Sequence, residues 1–444
     1  MIVSDVFAGK TYAVLGLARS GLATVDTLAA SGARVVAWDS REEARALVEG
    51  KAEIGDPMEI DLAGFDGVVV SPGVPLNRHP IAQRAMLAGV PIIGDIELFA
   101  LARPTLPPHK VVGITGTNGK STTTALIHHI VSQAGFPARM GGNIGLPILG
   151  QEPLEPNLRG MGVYVLELSS YQIDLTRSLD CDVAVLLNIT PDHLDRYNGF
   201  EGYVASKARL FDMQSAGHVA VIAAEDAPSR AIAENLQERG VVRVEGSDID
   251  PTLQRGWPAL QGPHNAQNAA VAIAVARALS ISDDDIFPAL ASYASLPHRM
   301  QRVAEINGVL YVNDSKATNP ASTAPALAAW PPQDGRPRIH WIVGGLAKSD
   351  SLDECAPMFG NVAQAYTIGE AGHMFADLLR PHMAVDDSEM LSAAVRRAAR
   401  AARPGDIVLL SPACASFDQF RDFEARGDAF AAAVEALEPG ADQP

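Results

Sequence analysis

One stretch constrains this chain more than any other: an apolar run enters a loop with three glycines and continues, through Lys-Ser, into a helical run. It reads VVGITGTNGKSTTT over residues 111–124. Glycines let the backbone approach phosphate oxygens, and the amino end of a helix contributes partial positive charge. Lys120 would reach the outer phosphates, and Ser121 or Thr122 could place a hydroxyl on Mg²⁺. The usual pattern needs glycine where this chain has Ile114, but the order of strand, loop and helix predicts a phosphate loop.

Length and patterning indicate three domains. A chain of 444 residues that is 47% apolar can bury two to four cores. Prolines before residue 109 and an interruption at 296–299 place the boundaries near 108 and 297. Strands alternate with helices in all three blocks, which predicts an α/β chain with mainly parallel sheets. We expect a Rossmann-like domain over 1–108, a phosphate-loop domain over 109–297 and a second Rossmann-like domain over 298–444.

Charge, cysteine content and hydropathy exclude several classes of protein. The formal net charge of −17 disfavours a protein that tracks the nucleic-acid backbone. No run of about 20 apolar residues exists, so we expect no membrane span. The amino-terminal residues lack a signal sequence, and Cys181, Cys355 and Cys414 are widely spaced, which fits a reducing cytoplasm.

The first block opens like a nucleotide-binding fold. Residues 11–15 form an apolar strand that ends in the loop GLARSG at 16–21, and a second strand follows over 33–39. A dinucleotide fingerprint would need glycine where the chain has Ala18, which disfavours nicotinamide or flavin cofactors. We predict a crevice for another nucleotide at this switch point. A third predicted strand over 67–70 ends in a turn at Ser71, which either lines that crevice or is an ordinary connection.

Polar groups follow two apolar strands of the middle block. Glu167 lies near the end of the strand at 163–168, where a phosphate-loop ATPase holds Mg²⁺; otherwise it is a strand-end acid that faces water. Residues 188–195 follow the next strand and form either a metal or substrate site or a capped turn. Lys207 lies on the polar side of a predicted helix, and the residues alone favour a solvated surface lysine.

Further candidate residues lie later in the chain. Asn265 and Asn268 open an alanine-rich helix on one face, and they either contact adenine or ribose or only cap the helix. The last block has three loops after strands: NDSKATN at 313–319, GGLAKS at 344–349 and SPACASFDQF at 411–420. Asp, Lys and Thr together on the first of these loops are poor core material, so we predict a site at 313–319.

Taken together, these segments resemble the Mur ligase family from the first strand to the last helix. TGTNGKST at 115–122 also occurs in the related folylpolyglutamate synthetases. The loops at 313–319 and 410–420 resemble the D-glutamate-adding branch more closely. The Asp-Asn-Pro-Arg motif of the branches that add diaminopimelate or lysine is absent from the sequence.

The resemblance implies a cytoplasmic step of peptidoglycan synthesis. The terminal carboxylate of UDP-N-acetylmuramoyl-L-alanine would attack the γ-phosphate of ATP, giving an acyl phosphate and ADP. The amine of D-glutamate would then displace phosphate through a tetrahedral intermediate. Catalysis of this kind is mostly charge neutralisation and positioning. We expect a monomer that binds ATP, two Mg²⁺ ions and these substrates, but neither nucleic acid nor membrane.

The resemblance also assigns roles to residues. The expected catalytic residues are Lys120, Glu167, His193 and Lys207. Ser121 and Glu167 would hold one Mg²⁺, while His193 and a carbamylated Lys207 would hold a second, since a carbamate supplies the oxygen ligands that Mg²⁺ prefers. The ATP set is Gly116, Thr117, Asn118, Gly119, Lys120, Ser121, Thr122, Asn265, Arg299 and Asp314. The UDP-substrate set is Arg19, Ser20, Asp39, Ser40, Arg41, Ser71, Gly73 and Asn143. The D-glutamate set is Lys316, Thr318, Lys348, Ser416, Phe417 and Phe423.

Three other functions remain as alternatives. Another amide ligase of the same family, including a folylpolyglutamate synthetase, would share the phosphate loop but accept a different amino acid. An NAD-dependent oxidoreductase would bind nicotinamide at residues 16–21, and a regulatory nucleotide-binding module would lack the amino-acid pocket. Nicotinamide binding or D-glutamate binding would separate these classes.

Overall fold

The computed structural model describes residues 1–192, 194–197, 199–237 and 240–437. Within this part of the chain the named strands form three sheets. The chain divides into two compact units, residues 1–248 with 267–290 and residues 249–266 with 291 onward. The predicted α/β class is therefore confirmed. In the described residues, no helix has the length and apolar character needed to cross a membrane.

The first sheet is parallel, with the order β3-β2-β1-β4-β5. Its central strands are buried because helices cover a parallel sheet on both faces. The strands are β1 Thr11–Leu15, β2 Arg34–Trp38, β3 Glu53–Ile54, β4 Gly67–Val70 and β5 Ile92–Ile93, and the helices are α1 Arg19–Ala30, α2 Glu42–Ala46, α3 Ile81–Ala88 and α4 Asp95–Ala102. The chain order reverses between β1 and β4, which leaves a crevice at their carboxyl ends.

The second sheet is also parallel, with the order β11-β10-β9-β6-β8-β7. Its strands are β6 His109–Thr115, β7 Ala138–Gly142, β8 Gly162–Glu167, β9 Val183–Leu186, β10 Val219–Ala223 and β11 Val241–Val244. The helices that follow in the chain are α5 Lys120–Gln133, α6 Ser170–Asp174, α7 Phe200–Asp212, α8 Ala227–Asn235, α9 Pro251–Gln254, α10 Pro263–Ala278 and α11 Asp283–Ser292. Strand β6 lies between β8 and β9, so the phosphate loop is flanked by the ends of both.

The third sheet belongs to the second unit and has the order β12-β13-β17-β14-β15-β16. Strand β12 is antiparallel to β13 across Asn307 and Gly308, whose positive φ angles suit a two-residue hairpin. The other pairings are parallel. The elements are β12 Gln301–Ile306, β13 Val309–Asn313, β14 Ile339–Gly344, β15 Val362–Ile368, β16 Ala384–Glu389, β17 Ile407–Leu410, α12 Pro320–Ala328, α13 Gly372–Leu379, α14 Leu391–Ala401 and α15 Phe423–Glu435.

Three local expectations need correction. Strand β3 was not expected, and the predicted third strand over Gly67–Val70 is the fourth. The glycine-rich sequence GGNIG at 141–145 predicts a turn, but its first two glycines end strand β7. Gly113 lies inside β6 instead of the loop, where a Cβ atom would come within 2.6 Å of the Cys181 sulfur. That glycine is therefore required by strand packing and not by phosphate.

Candidate active site

The loop between β6 and α5 needs glycine at both ends. Gly116 and Gly119 have φ angles of +152° and +82°, a region that side-chain-bearing residues rarely occupy. A Cβ atom on Gly119 would lie 2.6 Å from the Asn268 side-chain oxygen, and one on Gly116 would lie 2.9 Å from Leu187. Within the described chain, no side chain caps the amino end of α5 at Gly119. The first turn of this helix is therefore suited to an anion.

The turn after β9 holds the loop in place. Asn188 accepts from the backbone amide of Thr117 through its carbonyl oxygen and from that of Asn118 through its side chain, both at 2.8 Å. The Thr117 hydroxyl accepts from the amide of Thr190 at 3.0 Å. These contacts occupy two loop amides within the protein, so phosphate oxygens would be bound by amides closer to the helix.

Lys207 is buried rather than solvated, which overturns the expectation drawn from the residues alone. Its side chain is 1% exposed, and its nitrogen donates to the Gly116 carbonyl at 2.8 Å. The Lys120 nitrogen donates to the carbonyls of Gly116 and Thr117 at 2.9 and 2.8 Å. Burial, and then the charge of Lys120, lower the pKa of Lys207 to about 6. The structure thus brings both predicted lysines to one loop.

Tyr203 lies beside Lys207 and was missed by the sequence analysis. The Lys207 nitrogen lies 4.6 Å from the centre of its ring, and the Tyr203 hydroxyl lies 3.2 Å from the Thr117 hydroxyl. Burial raises the pKa of Tyr203 to about 12, so its hydroxyl keeps its proton. The four-residue spacing between Tyr203 and Lys207 places them on one helix face, and that spacing was the available signal.

Glu167 ends β8 beside the loop, since it pairs in register with Ile114 of β6. It is 2% exposed, and the Asn143 amide donates to one of its oxygens at 2.8 Å. In the described part of the chain its other oxygen is buried with no hydrogen-bond partner. A carboxylate oxygen left in this way fits a cation ligand, because burying it without a partner is costly.

The remaining metal candidates are less closely defined. Ser121 is 5% exposed in the first turn of α5, and Thr122 lies next to it. His193 lies outside the described residues. Among the residues that the structure describes, no group of three or more His, Cys, Asp or Glu side chains could hold a metal ion. The donors beside the loop are thus hydroxyl and carboxylate oxygens, which suit Mg²⁺.

In the first sheet, Asp39 organises the crevice. Its carboxylate accepts from the Leu17 amide at 2.8 Å and from the Arg41 side chain at 3.1 Å. Burial raises its pKa, but the hydrogen bonds from Arg41 and Leu17 outweigh burial and lower the pKa of Asp39 to about 2. The ionised carboxylate of Asp39 thus holds the loop after β1 in place, and Ser40 and Arg41 are exposed beside it.

The other residues of the UDP-substrate set lie around the same loops. Arg19 donates to the Gly145 carbonyl at 3.0 Å, which joins α1 to the turn after β7. Ser20 is half-buried in α1. The Ser71 hydroxyl donates to the Gly16 carbonyl at 3.2 Å, and Gly73 is exposed two residues later. Asn143 lies with Glu167 at the second sheet.

In the second unit, Asp314 follows β13 and is buried. Its two carboxylate oxygens accept from the Met300 amide at 3.1 Å and from the Ser411 hydroxyl at 2.8 Å. Burial raises the pKa of Asp314 to about 7, although both hydrogen bonds and the charge of Arg299 oppose it. Arg299 is half-buried, and Asn265 is 4% exposed and donates to the Gln261 carbonyl at 3.0 Å.

The loops after β13, β17 and β14 bring most of the D-glutamate set to one sheet edge. The Lys348 nitrogen lies 3.5 Å from the Thr318 hydroxyl, and the Lys316 nitrogen lies 3.8 Å from the centre of the Phe423 ring. Ser416 is buried, whereas Phe417 is 69% exposed. Two cationic side chains at one edge can oppose the carboxylates of an acidic amino acid.

Arg426 supports these loops and was also missed. It is 1% exposed and donates to the carbonyls of Ser315, Cys414 and Ala415 at 2.9, 3.0 and 3.2 Å. Burial lowers its pKa to about 10. Arg426 shares a helix face with the buried residues Phe430 and Val434 of α15. An arginine at that spacing was the signal that the sequence offered.

Three family models match the chain. Residues 10–94 match the Mur ligase MurD-like N-terminal domain, 114–252 the Mur ligase middle domain, and 298–414 the Mur ligase glutamate ligase domain. A protein of Novosphingobium aromaticivorans named UDP-N-acetylmuramoylalanine--D-glutamate ligase is 66% identical over 443 residues, which covers 98% of this chain and 97% of that protein. The protein of the same name from Sphingopyxis alaskensis is 64% identical over 438 residues, which covers 98% of this chain and 100% of that protein.

Solved structures support the fold. The MurF ligase of Thermotoga maritima in complex with ADP matches 98% of this chain and 96% of its own, with a TM-score of 0.61 and 16% identity. The UDP-N-acetylmuramate-alanine ligase MurC of Thermotoga maritima matches 97% of this chain and all of its own, with a TM-score of 0.57 and 16% identity.

Proposed function

Because the chain belongs to the Mur ligase family, we propose that it joins D-glutamate to UDP-N-acetylmuramoyl-L-alanine and converts ATP to ADP and phosphate. The two relatives quoted above bear the name of this activity and align with the chain over nearly its full length. The reaction is a cytoplasmic step of peptidoglycan precursor synthesis, carried out by a monomer.

The chemistry proceeds in two steps that balance. An oxygen of the substrate's terminal carboxylate bonds to the γ-phosphorus of ATP, and the bond to the β,γ-bridging oxygen breaks, which releases ADP. The amine of D-glutamate then bonds to the acyl carbon and gives a tetrahedral intermediate. That intermediate loses phosphate and a proton and leaves an amide. Both steps build up negative charge on oxygen, so fixed positive charge and oriented donors lower their barriers.

One observation carries the proposal: the phosphate loop lies beside Glu167, and one buried oxygen of this carboxylate has no hydrogen-bond partner among the described residues. Lys120 lies on the loop and would neutralise phosphate oxygens once its hydrogen bonds to the loop carbonyls exchange for them. Gly116, Gly119 and Thr122 complete the cradle, and Thr117 and Asn118 shape the loop around the phosphates. Asn188, which follows β9, accepts from the amides of Thr117 and Asn118, so the loop backbone is fixed before the nucleotide arrives.

Magnesium fits the residues beside the loop. Ser121 and Glu167 would hold one ion, and the partnerless oxygen of Glu167 supports this. His193 and carbamylated Lys207 would hold a second. A bound Mg²⁺ would supply Lewis-acid neutralisation of phosphate oxygens. The lowered pKa of Lys207 supports carbamylation, because only a neutral amine attacks carbon dioxide.

The remaining roles divide along the chain. Residues 1–108 bind the UDP moiety through Arg19, Ser20, Asp39, Ser40, Arg41, Ser71 and Gly73, and Asn143 contacts the rest of that substrate. Residues 109–297 bind ATP, to which Asn265, Arg299 and Asp314 also contribute. Residues 298–444 bind D-glutamate through Lys316, Thr318, Lys348, Ser416, Phe417 and Phe423. The cationic pair of Lys316 and Lys348 supports the choice of an acidic amino acid.

Phosphate release with UDP-N-acetylmuramoyl-L-alanine tests the proposal directly. D-Glutamate should drive turnover, while L-glutamate, L-alanine, diaminopimelate and lysine should not. The variant Lys120→Ala should lose ADP formation but keep its affinity for the UDP substrate within about threefold, which is under 1 kcal/mol. Turnover with diaminopimelate or lysine instead of D-glutamate would favour another ligase of the family. No ADP with any of these amino acids would overturn the proposal.

A further inference from the structure

A second cavity lies in the first unit at the amino ends of β6 and β8, away from the phosphate loop. Its volume is about 290 Å³, near the lower end of the range for small-molecule pockets. Its walls come from the start of β6, the residues after α5, the hairpin before β8 and the residues after α10. Lys110 of β6 and Val163 of β8, which are paired in register, line the cavity on the side of the sheet.

The walls are mostly apolar. Phe136, Met161, Leu279 and Ile281 line the cavity. Met161 is 41% exposed, and Leu158, in the same hairpin, is fully exposed. The exposed part of Met161 adds apolar surface that a ligand in the cavity would remove from water.

The charges around the cavity are unequal. Arg159 donates to the Ala134 carbonyl at 2.7 Å and to the Asp285 carboxylate at 3.1 Å, so its charge already has a counter-ion. The Lys110 side chain forms no hydrogen bond or ion pair with another residue in the described ranges. This half-buried side chain is therefore the cation of the lining that is left to meet a ligand.

We infer that this cavity binds a small carboxylate with an apolar body. One unpaired cation over apolar walls matches a monoanion. A phosphate dianion would need several converging donors, as a phosphate loop provides. The inference does not rest on the proposed ligase activity, because none of its residues belongs to that site.

Calorimetric titration with 4-phenylbutyrate tests the inference, with ADP and Mg²⁺ present in excess to fill the nucleotide site. The neutral analogue 4-phenylbutyramide should bind at least fivefold more weakly than the acid. The variant Lys110→Gln should weaken binding of the acid at least fivefold, whereas Lys110→Arg should stay within threefold. Met161→Trp, which fills the mouth of the cavity, should also weaken it at least fivefold.

Lys51→Gln is the matched control, because Lys51 is an exposed lysine in the turn before β3 that pairs with Asp26. It should leave binding unchanged. Thermal unfolding of each variant shows whether it is folded. Undetectable binding at 5 mM, equal binding of acid and amide, or unchanged binding in Lys110→Gln would each overturn the inference.

Discussion

The side-chain nitrogens of Lys120 and Lys207 share one acceptor, the carbonyl oxygen of Gly116. Two ammonium groups on one carbonyl repel each other, and Lys207 lies in the less solvated position. The pKa of Lys207 falls to about 6, so near pH 7 it is largely a neutral amine while Lys120 carries the charge. This difference suits the proposed roles of the two lysines, Lys120 as a ligand of phosphate and Lys207 as the amine that reacts with carbon dioxide.

Replacing Lys207 by alanine tests whether an anion is needed at this position. We expect activity to fall by at least about tenfold, the usual loss when a metal site loses a supporting group. Acetate at millimolar concentration should restore part of the rate, because it can occupy the space with the charge of a carbamate. Rescue by methylammonium instead of acetate would show that the ammonium form is required, and full activity without any addition would remove the role.

Replacing Glu167 by glutamine tests whether its buried carboxylate oxygen, which has no hydrogen-bond partner among the described residues, is a magnesium ligand. The amide keeps an acceptor for Asn143 but removes a buried charge. We expect the unfolding temperature to stay constant or rise, because an uncompensated charge leaves the interior. The magnesium dependence of ADP formation should shift by about 10- to 100-fold. Glu201→Gln, at an exposed position of α7, is the control. Loss of stability without a change in magnesium dependence would mean that Glu167 serves only the fold.

The stability of wild type should depend on pH through Asp314. Its pKa is 3.8 in the unfolded chain and about 7 in the folded one. Between those values the folded state keeps a proton that the unfolded state has lost, so the free energy of unfolding falls as pH rises from 4 to 7. Asp314→Asn should remove this decline, and its stability relative to wild type should rise over that window and level off above it.

Urea denaturation at several pH values measures this difference. Asp353→Asn, at an exposed position, is the control and should follow wild type at every pH. A constant difference between Asp314→Asn and wild type from pH 4 to 8 would contradict the raised pKa.

The sequence predicted the features that depend on local signals. Glycine spacing and apolar runs identified the phosphate loop and the strands over 11–15 and 67–70, because these patterns are set by neighbouring residues. Strand β3 was not predicted because it has only two residues, both exposed.

The burial of Lys207 could not be predicted from local pattern. Its acceptor on Gly116 lies 91 positions away in the chain, and helical periodicity alone places a lysine on the solvated face. Arg426 escaped in the same way, since its contact with Ser315 spans 111 positions. The environment of these two side chains is set by partners far away in the sequence, and a local sequence pattern does not predict such partners.

Arg426→Lys tests whether the buried guanidinium positions the amino-acid loops. One ammonium group cannot reach the carbonyls of Ser315, Cys414 and Ala415 together. At least one of them therefore loses the donor that Arg426 provides, which costs about 1–3 kcal/mol of stability. We expect a lower unfolding temperature and a KM for D-glutamate raised roughly tenfold, the equivalent of about 1.4 kcal/mol. The KM for the UDP substrate should change by less than about twofold, because its proposed site lies at the loops of the first sheet. Arg421→Lys, whose side chain is 82% exposed, is the matched control. Equal increases in both KM values would show that Arg426 supports the fold in general rather than the D-glutamate loops.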